Sequence, residues 1–176
     1  VDDLMSLSRI EAERFAVPAD PVDLLPLIDE TRTSLRQLVE ERGATLVLEN
    51  DAGEAVVTGD RPQLAQMLGN LLVNSLKYGR AGAPIRINLD NAGSELIRLR
   101  VTDQGEGIAP EHIPRLTERF YRVDPGRSRS VGGTGLGLAI VKHIVLRQRG
   151  RLDIRSTLGE GTSVHVYLPR ARDGEA

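Results

Sequence analysis

The 176-residue sequence contains no cysteine, which excludes a disulfide scaffold, a thiol nucleophile and any cysteine-ligated zinc or iron–sulfur site. Tryptophan is also missing, and the aromatic residues amount to 3%: Phe15, Phe120, Tyr78, Tyr121 and Tyr167. So few rings argue against a stacking platform for single-stranded nucleic acid. No apolar run approaches the roughly 18–20 residues that span a bilayer, and no signal-peptide pattern opens the chain. Charge of one sign is not in excess either. Lysine plus arginine total 23 against 25 acidic residues, a net −2 that speaks against a whole-surface nucleic-acid binder. What remains is 40% hydrophobic and 27% charged, the balance of a soluble globular protein with a real core. The length fits one domain with at most a short appendage. The chain opens at Val1 rather than methionine, which predicts a piece excised from something larger.

Residues 1–14 place Val1, Leu4, Leu7 and Ile10 at helical spacing, as at the end of an amphipathic helix. FAVPADP, residues 15–21, carries two prolines and predicts an extended linker with a domain boundary near residue 20. A periodic helix is expected from about Asp23 to Arg42, its stripe formed by Leu24, Leu27, Ile28, Thr31, Leu35, Leu38 and Val39. Gly43 suits its C′ position. TLVLEN and AVVTGD are short strand candidates. A second helix is expected from about Arg61 to Tyr78, with Asp60 as N-cap and Pro62 in the first turn. PIRINLD and ELIRLRVTD alternate like a hairpin, and RLDIRST and TSVHVYLP like another. Between them a third helix should begin near Thr134 and stop at Gly150. These elements predict an α+β fold, a two-layer sandwich with a mixed, mostly antiparallel sheet covered on one face by three helices.

Four features carry chemistry. Asn70, Asn74 and Lys77 stand at i, i+4 and i+7 on the second helix and share one face, with Tyr78 beside them. Asparagine is a mediocre helix former, so two on one face of an apolar helix want a reason. They read either as surface amides beside a solvated lysine, or as an amide for Mg²⁺ with a lysine for phosphate. Magnesium takes few protein ligands and fills its shell with phosphate and water oxygens. The second feature is Asp103-Gln-Gly105-Glu-Gly107-Ile108 at a strand end, where glycines let a planar ligand approach the backbone. A plain Asx turn would give the same letters. The third is Gly132-Gly133-Thr134-Gly135-Leu136-Gly137-Leu138 opening a helix, where free N–H groups and the helix dipole favour phosphate. It is neither a Walker A loop nor a Rossmann fingerprint. The fourth is residues 115–129, whose five arginines against Glu118 and Asp124 leave +3 on a chain that is −2 overall. It reads as a solvated basic loop, or as a mobile lid over a triphosphate.

The four in this order resemble the ATP-binding catalytic domain of sensor histidine kinases, within the gyrase, chaperone, histidine kinase and mismatch-repair ATPase superfamily. NLLVNSLKY is similar to the N box, DQGEGI to the G1 box, LTERFYR to the F box, GGTGLGLAI to the G2 box, and GEGTSVHVYLP to the terminal hairpin. LMSLSRIEAERF resembles the end of the second dimerisation helix, and the overall flavour is that of phosphate-regulon-type kinases. The resemblance implies the Bergerat-type ATP-binding fold. It divides the chain into the end of a dimerisation helix (1–14), a linker (15–22), the ATP-binding domain (23–170) and a tail (171–176).

The cofactors implied are ATP and Mg²⁺. Asn74 would ligate the metal, Asn70 and Lys77 would face the phosphates, and Tyr78 would lie beside the nucleotide. Asp103 would accept the adenine exocyclic amine, with Thr162 behind it through water, while Gly105, Gly107 and Ile108 line the adenine pocket. Arg122, then Arg119, would meet the γ-phosphate, with Phe120 and Tyr121 between them. Gly133, Thr134, Gly135, Leu136, Gly137 and Leu138 would form the phosphate-side loop and the hinge of the lid over 124–134. The phosphoacceptor histidine of the family would lie upstream of Val1, and His112, His143 and His165 match no phosphoacceptor motif. Partners implied are the dimerisation domain of the same protein, a response-regulator receiver domain and a second copy in the full-length homodimer, with no nucleic acid. The location implied is the cytoplasm, the parent protein sitting at the inner face of the bacterial membrane. Alternatives are an ATP hydrolase, a serine-directed kinase of the anti-sigma type and a non-enzymatic nucleotide-binding module. The hydrolases generally use a glutamate where this chain has Asn70, and an amide is no base.

Overall fold

A computed structural model describes residues 2–12, 18–123 and 135–172. The expected lid over 124–134, with Gly133 and Thr134, lies outside the described residues, as do Phe15 and residues 173–176 of the tail.

Helix α1 (Asp2–Ala12) buries Leu7 and Ile10 and packs on the last helix of the chain. Strand β1 (Asp20–Asp23) follows and pairs antiparallel with β3 (Val56–Gly59). These four residues lie in the stretch expected to be linker or helix start. Pro21 fits there because a two-stranded ribbon leaves one side of each strand unpaired. Asp23 ends β1 and caps α2 (Leu24–Ser34), its side chain accepting from Leu25 N at 3.1 Å.

The single helix expected from Asp23 to Arg42 is instead two. α2 stops at Ser34, Leu35 takes a non-helical turn, and α3 (Arg36–Glu41) resumes. The cause is local. Thr31, Thr33 and Ser34 each turn a hydroxyl back onto a backbone carbonyl, at 2.8–3.0 Å, and such bonds compete with the helical ladder.

β2 (Thr45–Asn50), α4 (Arg61–Tyr78), β4 (Pro84–Ala92) and β5 (Leu96–Thr102) come next. After a short 3₁₀ turn at Ile113–Arg115 come α5 (Gly137–Arg147), β6 (Arg151–Thr157) and β7 (Gly161–Pro169). The five-stranded sheet has the order β2-β4-β5-β7-β6, with β2–β4 parallel and the other pairs antiparallel. The mixed, mostly antiparallel sheet is therefore present.

Alternation fixes which face is buried. Ile85, Ile87, Leu89, Ile97, Leu99, Val101, Val164, Val166 and Leu168 point inward, and the helices meet them with Leu64, Leu68, Leu71, Ile140 and Ile144. Each fully buried leucine or isoleucine here contributes about 2–5 kcal/mol against alanine. A buried amide pair joins the helical layer: Gln148, just past α5, donates to Gln63 Oε1 at 3.2 Å and accepts from Asp60 N at 2.9 Å. The opposite sheet face is polar. There Arg98 pairs with Asp90, Arg86 with Glu49, and Arg151 lies over the Tyr167 ring at 4.2 Å.

Candidate functional site: a cavity between helices and sheet

Helix α4 is fixed by its N-cap, Asp60, which accepts from Gln63 N at 3.0 Å. Its apolar side sinks Leu64, Met67, Leu68, Leu71, Leu72 and Leu76 into the core. That rotation leaves Asn70, Asn74 and Lys77 half-buried along one wall of a cavity of about 490 Å³, with Tyr78 at its end. The volume is that of a small-molecule site. Asn70 reaches the opposite wall, donating to the carbonyl of Gly137 at 3.5 Å.

The floor is built where β5 ends. Asp103 is 8% exposed, and its Oδ1 accepts from Gly105 N at 2.9 Å and from Thr162 N at 3.3 Å. Burial pushes the Asp103 carboxyl above its ordinary value, while the two backbone N–H groups pull it part of the way back. Thr162 thus sits directly against Asp103, through its own backbone. Behind the loop, Ser156 Oγ accepts from Ile108 N at 2.8 Å and lies 2.9 Å from Gly161 O, to which it donates, and 2.8 Å from Thr162 Oγ1.

The glycines of this loop serve a closer neighbour than a ligand. A Cβ on Gly107, where φ is +73°, would lie 2.1 Å from the carbonyl oxygen of Thr157. One on Gly105 would lie 2.4 Å from that of Tyr78. It is the protein's own backbone that approaches, locking the loop between α4 and the β6–β7 turn.

At the far end, α5 starts at Gly137, within the glycine cluster where a helix start is expected, and no side chain caps it among the described residues. Gly135, Gly137 and Leu138 border the cavity, so this helix start adjoins it, a setting that favours an anion. Tyr121 and Arg122 close this side.

The cavity brings together Asn70, Asn74, Lys77, Tyr78, Asp103, Gly107, Ile108, Tyr121, Arg122, Gly135, Gly137, Leu138 and Thr162. Four other expected residues do not border it. Gly105 and Leu136 are buried behind its walls, and Arg119 and Phe120 are exposed. The structure also lines it with residues that sequence reasoning passed over: His112, Glu106, Leu158 and, from α1, Asp3. Ser156 was missed as well, because a serine on an alternating strand carries no signal of the loop that it holds. Of the other histidines, His165 is buried on the polar sheet face, 3.1 Å from Ser163 Oγ, and His143 is half-buried on α5. A second, smaller cavity of about 370 Å³ lies between β1 and the start of α4, bordered by Asp20, Asp23 and Asp60. It contains none of the four motifs, and two of its aspartates are already spent as helix caps.

A polar helix face, a buried strand-end aspartate and a helix start with no side-chain cap among the described residues surround one cleft of an α/β sandwich. The chain belongs to the histidine kinase-, DNA gyrase B- and HSP90-like ATPase family, whose model matches residues 59–172. It is similar to the phosphate regulon sensor protein PhoR of Pseudomonas aeruginosa, 39% identical over 179 residues that cover 100% of this chain and 39% of that protein. It is 36% identical over 170 residues to the sensor protein SrrB of Staphylococcus aureus, covering 97% of this chain and 29% of that one. The chain thus spans well under half the length of these relatives. Among solved structures, the mycobacterial sensor histidine kinase MprB superposes with a TM-score of 0.74 at 31% identity, over 88% of this chain and 99% of that one. Full-length ShkA in complex with AMPPNP superposes at 0.84 over 99% of this chain and 36% of that one; its 23% identity speaks for the fold alone. The likeness to the sensor kinases, the phosphate-regulon type included, agrees with the resemblance carried by the boxes. No helix among the described residues is long and apolar enough to cross a membrane.

Proposed function

We propose that this chain is the ATP-binding catalytic domain of a two-component sensor kinase that passes the γ-phosphate of Mg·ATP to a histidine on a dimerisation domain, for relay to a receiver domain. The observation that carries the reading is the convergence of four separated motifs on one cavity whose long helix, Arg61–Tyr78, contains no carboxylate. Without a base there, the phosphate end is suited to transfer rather than to activating water.

In this reading Asp103 accepts the exocyclic amine of adenine, with Thr162 beside it and Gly107 and Ile108 against the ring. Asn70 and Lys77 hold the phosphates, and Arg122, which borders the cavity, meets the γ-phosphate, while Arg119 stands exposed outside it. The donor set fits magnesium arriving with ATP. Asn74 offers a neutral amide oxygen, no cluster of three acidic or histidine ligands exists among the described residues, and phosphate oxygens complete a hard-cation shell. When bound, the metal neutralises charge on the phosphates.

The chemistry asks little else of the domain. The lone pair of a neutral imidazole nitrogen attacks phosphorus, an N–P bond forms, and the bond from phosphorus to the β–γ bridging oxygen breaks, its electron pair leaving with ADP. The residues of this chain position the γ-phosphate and stabilise its charge. Helix α1 is then the end of the dimerisation helix, residues 23–170 the catalytic domain, and the parent a homodimer at the inner membrane face.

The test adds a separately purified dimerisation domain and radiolabelled ATP. Label on the histidine of that domain supports transfer; ATP binding without label makes the chain a regulatory nucleotide-binding module. Arg122→Ala should weaken transfer more than binding, and normal transfer by that variant would remove Arg122 from its role.

A further inference from the structure

Outside the roles assigned so far, one cluster at the mouth of the cavity has a geometry that calls for a use. His112 Nδ1 hydrogen-bonds the Tyr121 hydroxyl, and both residues border the cavity. Arg115 lies over the Tyr121 ring, its guanidinium carbon 4.4 Å from the ring centroid, and is itself held by Glu118 at 3.2 Å. The exposed Glu111 carboxylate lies on the other side of the His112 ring, 3.6 Å from Nε2 and beyond hydrogen-bond distance, so the ring's short polar contact is the Tyr121 hydroxyl. Tyr121 is therefore gripped at its hydroxyl and at its face.

The backbone beside it shows why a grip is needed. Phe120 adopts φ +63°, a left-handed conformation that is strained for a bulky residue. Such strain persists where the surroundings over-determine it. On one side, Phe120 N donates to Gly135 O at 2.9 Å. Gly135 cannot be larger, since a Cβ there would lie 2.8 Å from Phe120 Cα. On the other side, the restraint is the side chain of Tyr121. The next residue in the chain is Arg122.

We infer that His112 is a positioning residue for phosphoryl transfer. By holding the Tyr121 hydroxyl it fixes the turn that delivers Arg122 to the phosphate end of the cavity. The inference rests on the reading of Arg122 given above. It assigns His112 no proton transfer and no contact with the reacting atoms.

The test measures the affinities of this chain for Mg·ATP and Mg·ADP in His112→Ala, Tyr121→Phe, the double variant and His112→Asn. ADP lacks the group that Arg122 meets, so the two nucleotides separate positioning from general damage. Loss of one hydrogen bond predicts an ATP affinity lower by about three- to tenfold, with ADP changed by less than about twofold. Tyr121→Phe keeps the ring and its stacking on Arg115, so it should fold as the parent does and show the same loss. The double variant should be no worse than either single one, because both remove the same bond. His112→Asn, whose amide can take the place of Nδ1, should recover most of the ATP affinity. Equal losses for ATP and ADP, or losses that multiply in the double variant, overturn the inference. An ATP-over-ADP preference that survives Arg122→Ala overturns the underlying assignment of Arg122 instead, and the inference falls with it.

Discussion

The two ends of the cavity are built in opposite ways. At the Asp103 end nearly every polar group is already tied: the carboxylate to Gly105 and Thr162, the loop to Ser156, Gly107 against the backbone of Thr157. At the other end the polar groups stand on single elements. Asn70, Asn74 and Lys77 project from one helix, Asn70 touching the opposite wall only at 3.5 Å, and the α5 start has no side-chain cap among the described residues. The first end is a mould and the second a set of reaching arms. Under the function proposed above, a rigid base should set recognition of the ring, and adaptable side chains should follow a phosphate chain of variable length.

That contrast can be broken experimentally, most forcibly at Asp103. In the role proposed for it, Asp103→Ala removes a charge-assisted bond of roughly 1.5–3 kcal/mol and should lower affinity about ten- to hundredfold, for ATP, ADP and AMP alike. Calorimetric titration reads this, and a loss confined to ATP would erase the distinction between the ends. Next is Gly107→Ala. Forcing a side chain against Thr157 in a left-handed conformation should cost about 2 kcal/mol or more in chemical denaturation. A neutral result would mean that the loop is not a mould. Ser156→Ala leaves Ile108 N without its partner and should cost about 1–2 kcal/mol of stability. It should also weaken adenosine binding while leaving binding of inorganic triphosphate unchanged.

The smallest effect concerns acid. Burial raises the Asp103 carboxyl, so the folded chain holds that proton above the ordinary value of 3.8. Between 3.8 and the raised folded value the native state binds more protons than the unfolded chain. Asp103 therefore lowers stability as pH rises through that window, and ligand binding has to compensate. Nucleotide affinity should accordingly decline on acidification before ordinary carboxylates titrate, and Asp103→Asn should flatten that decline. A wild-type profile as flat as that of the variant would contradict the burial argument.

Much of this was legible in the chain itself, for identifiable reasons. α4 announced itself through its leucine stripe, Asp60 cap and Pro62, and both long hairpins through alternation. The break at Leu35 was hidden because apolar spacing runs straight across it, while the hydroxyls that cause it are read as neutral helix residues. β1 was masked by Pro21, a breaker by composition that an edge strand tolerates. Within the cavity the motif residues were visible because each carries unusual chemistry at a fixed spacing. His112 and Ser156 were not, since their roles exist only through partners 9 and 48 residues away in sequence. Gly105 was legible as a required glycine, though its neighbour is Tyr78 rather than a ligand.

The bond from Thr162 to Asp103 spans 59 residues, and the β5–β7 pairing that creates it is the least local step between the two hairpins. Hairpins close quickly, whereas a pairing across so long an intervening segment must wait for its loop entropy to be overcome. The floor of the cavity is thus expected to be completed after both hairpins on the folding route. A chain newly made or partly unfolded can display both hairpins and still offer adenine nothing to bind. Nucleotide then acts as an inspector of finished sheets, stabilising by mass action only those molecules in which the last seam has closed.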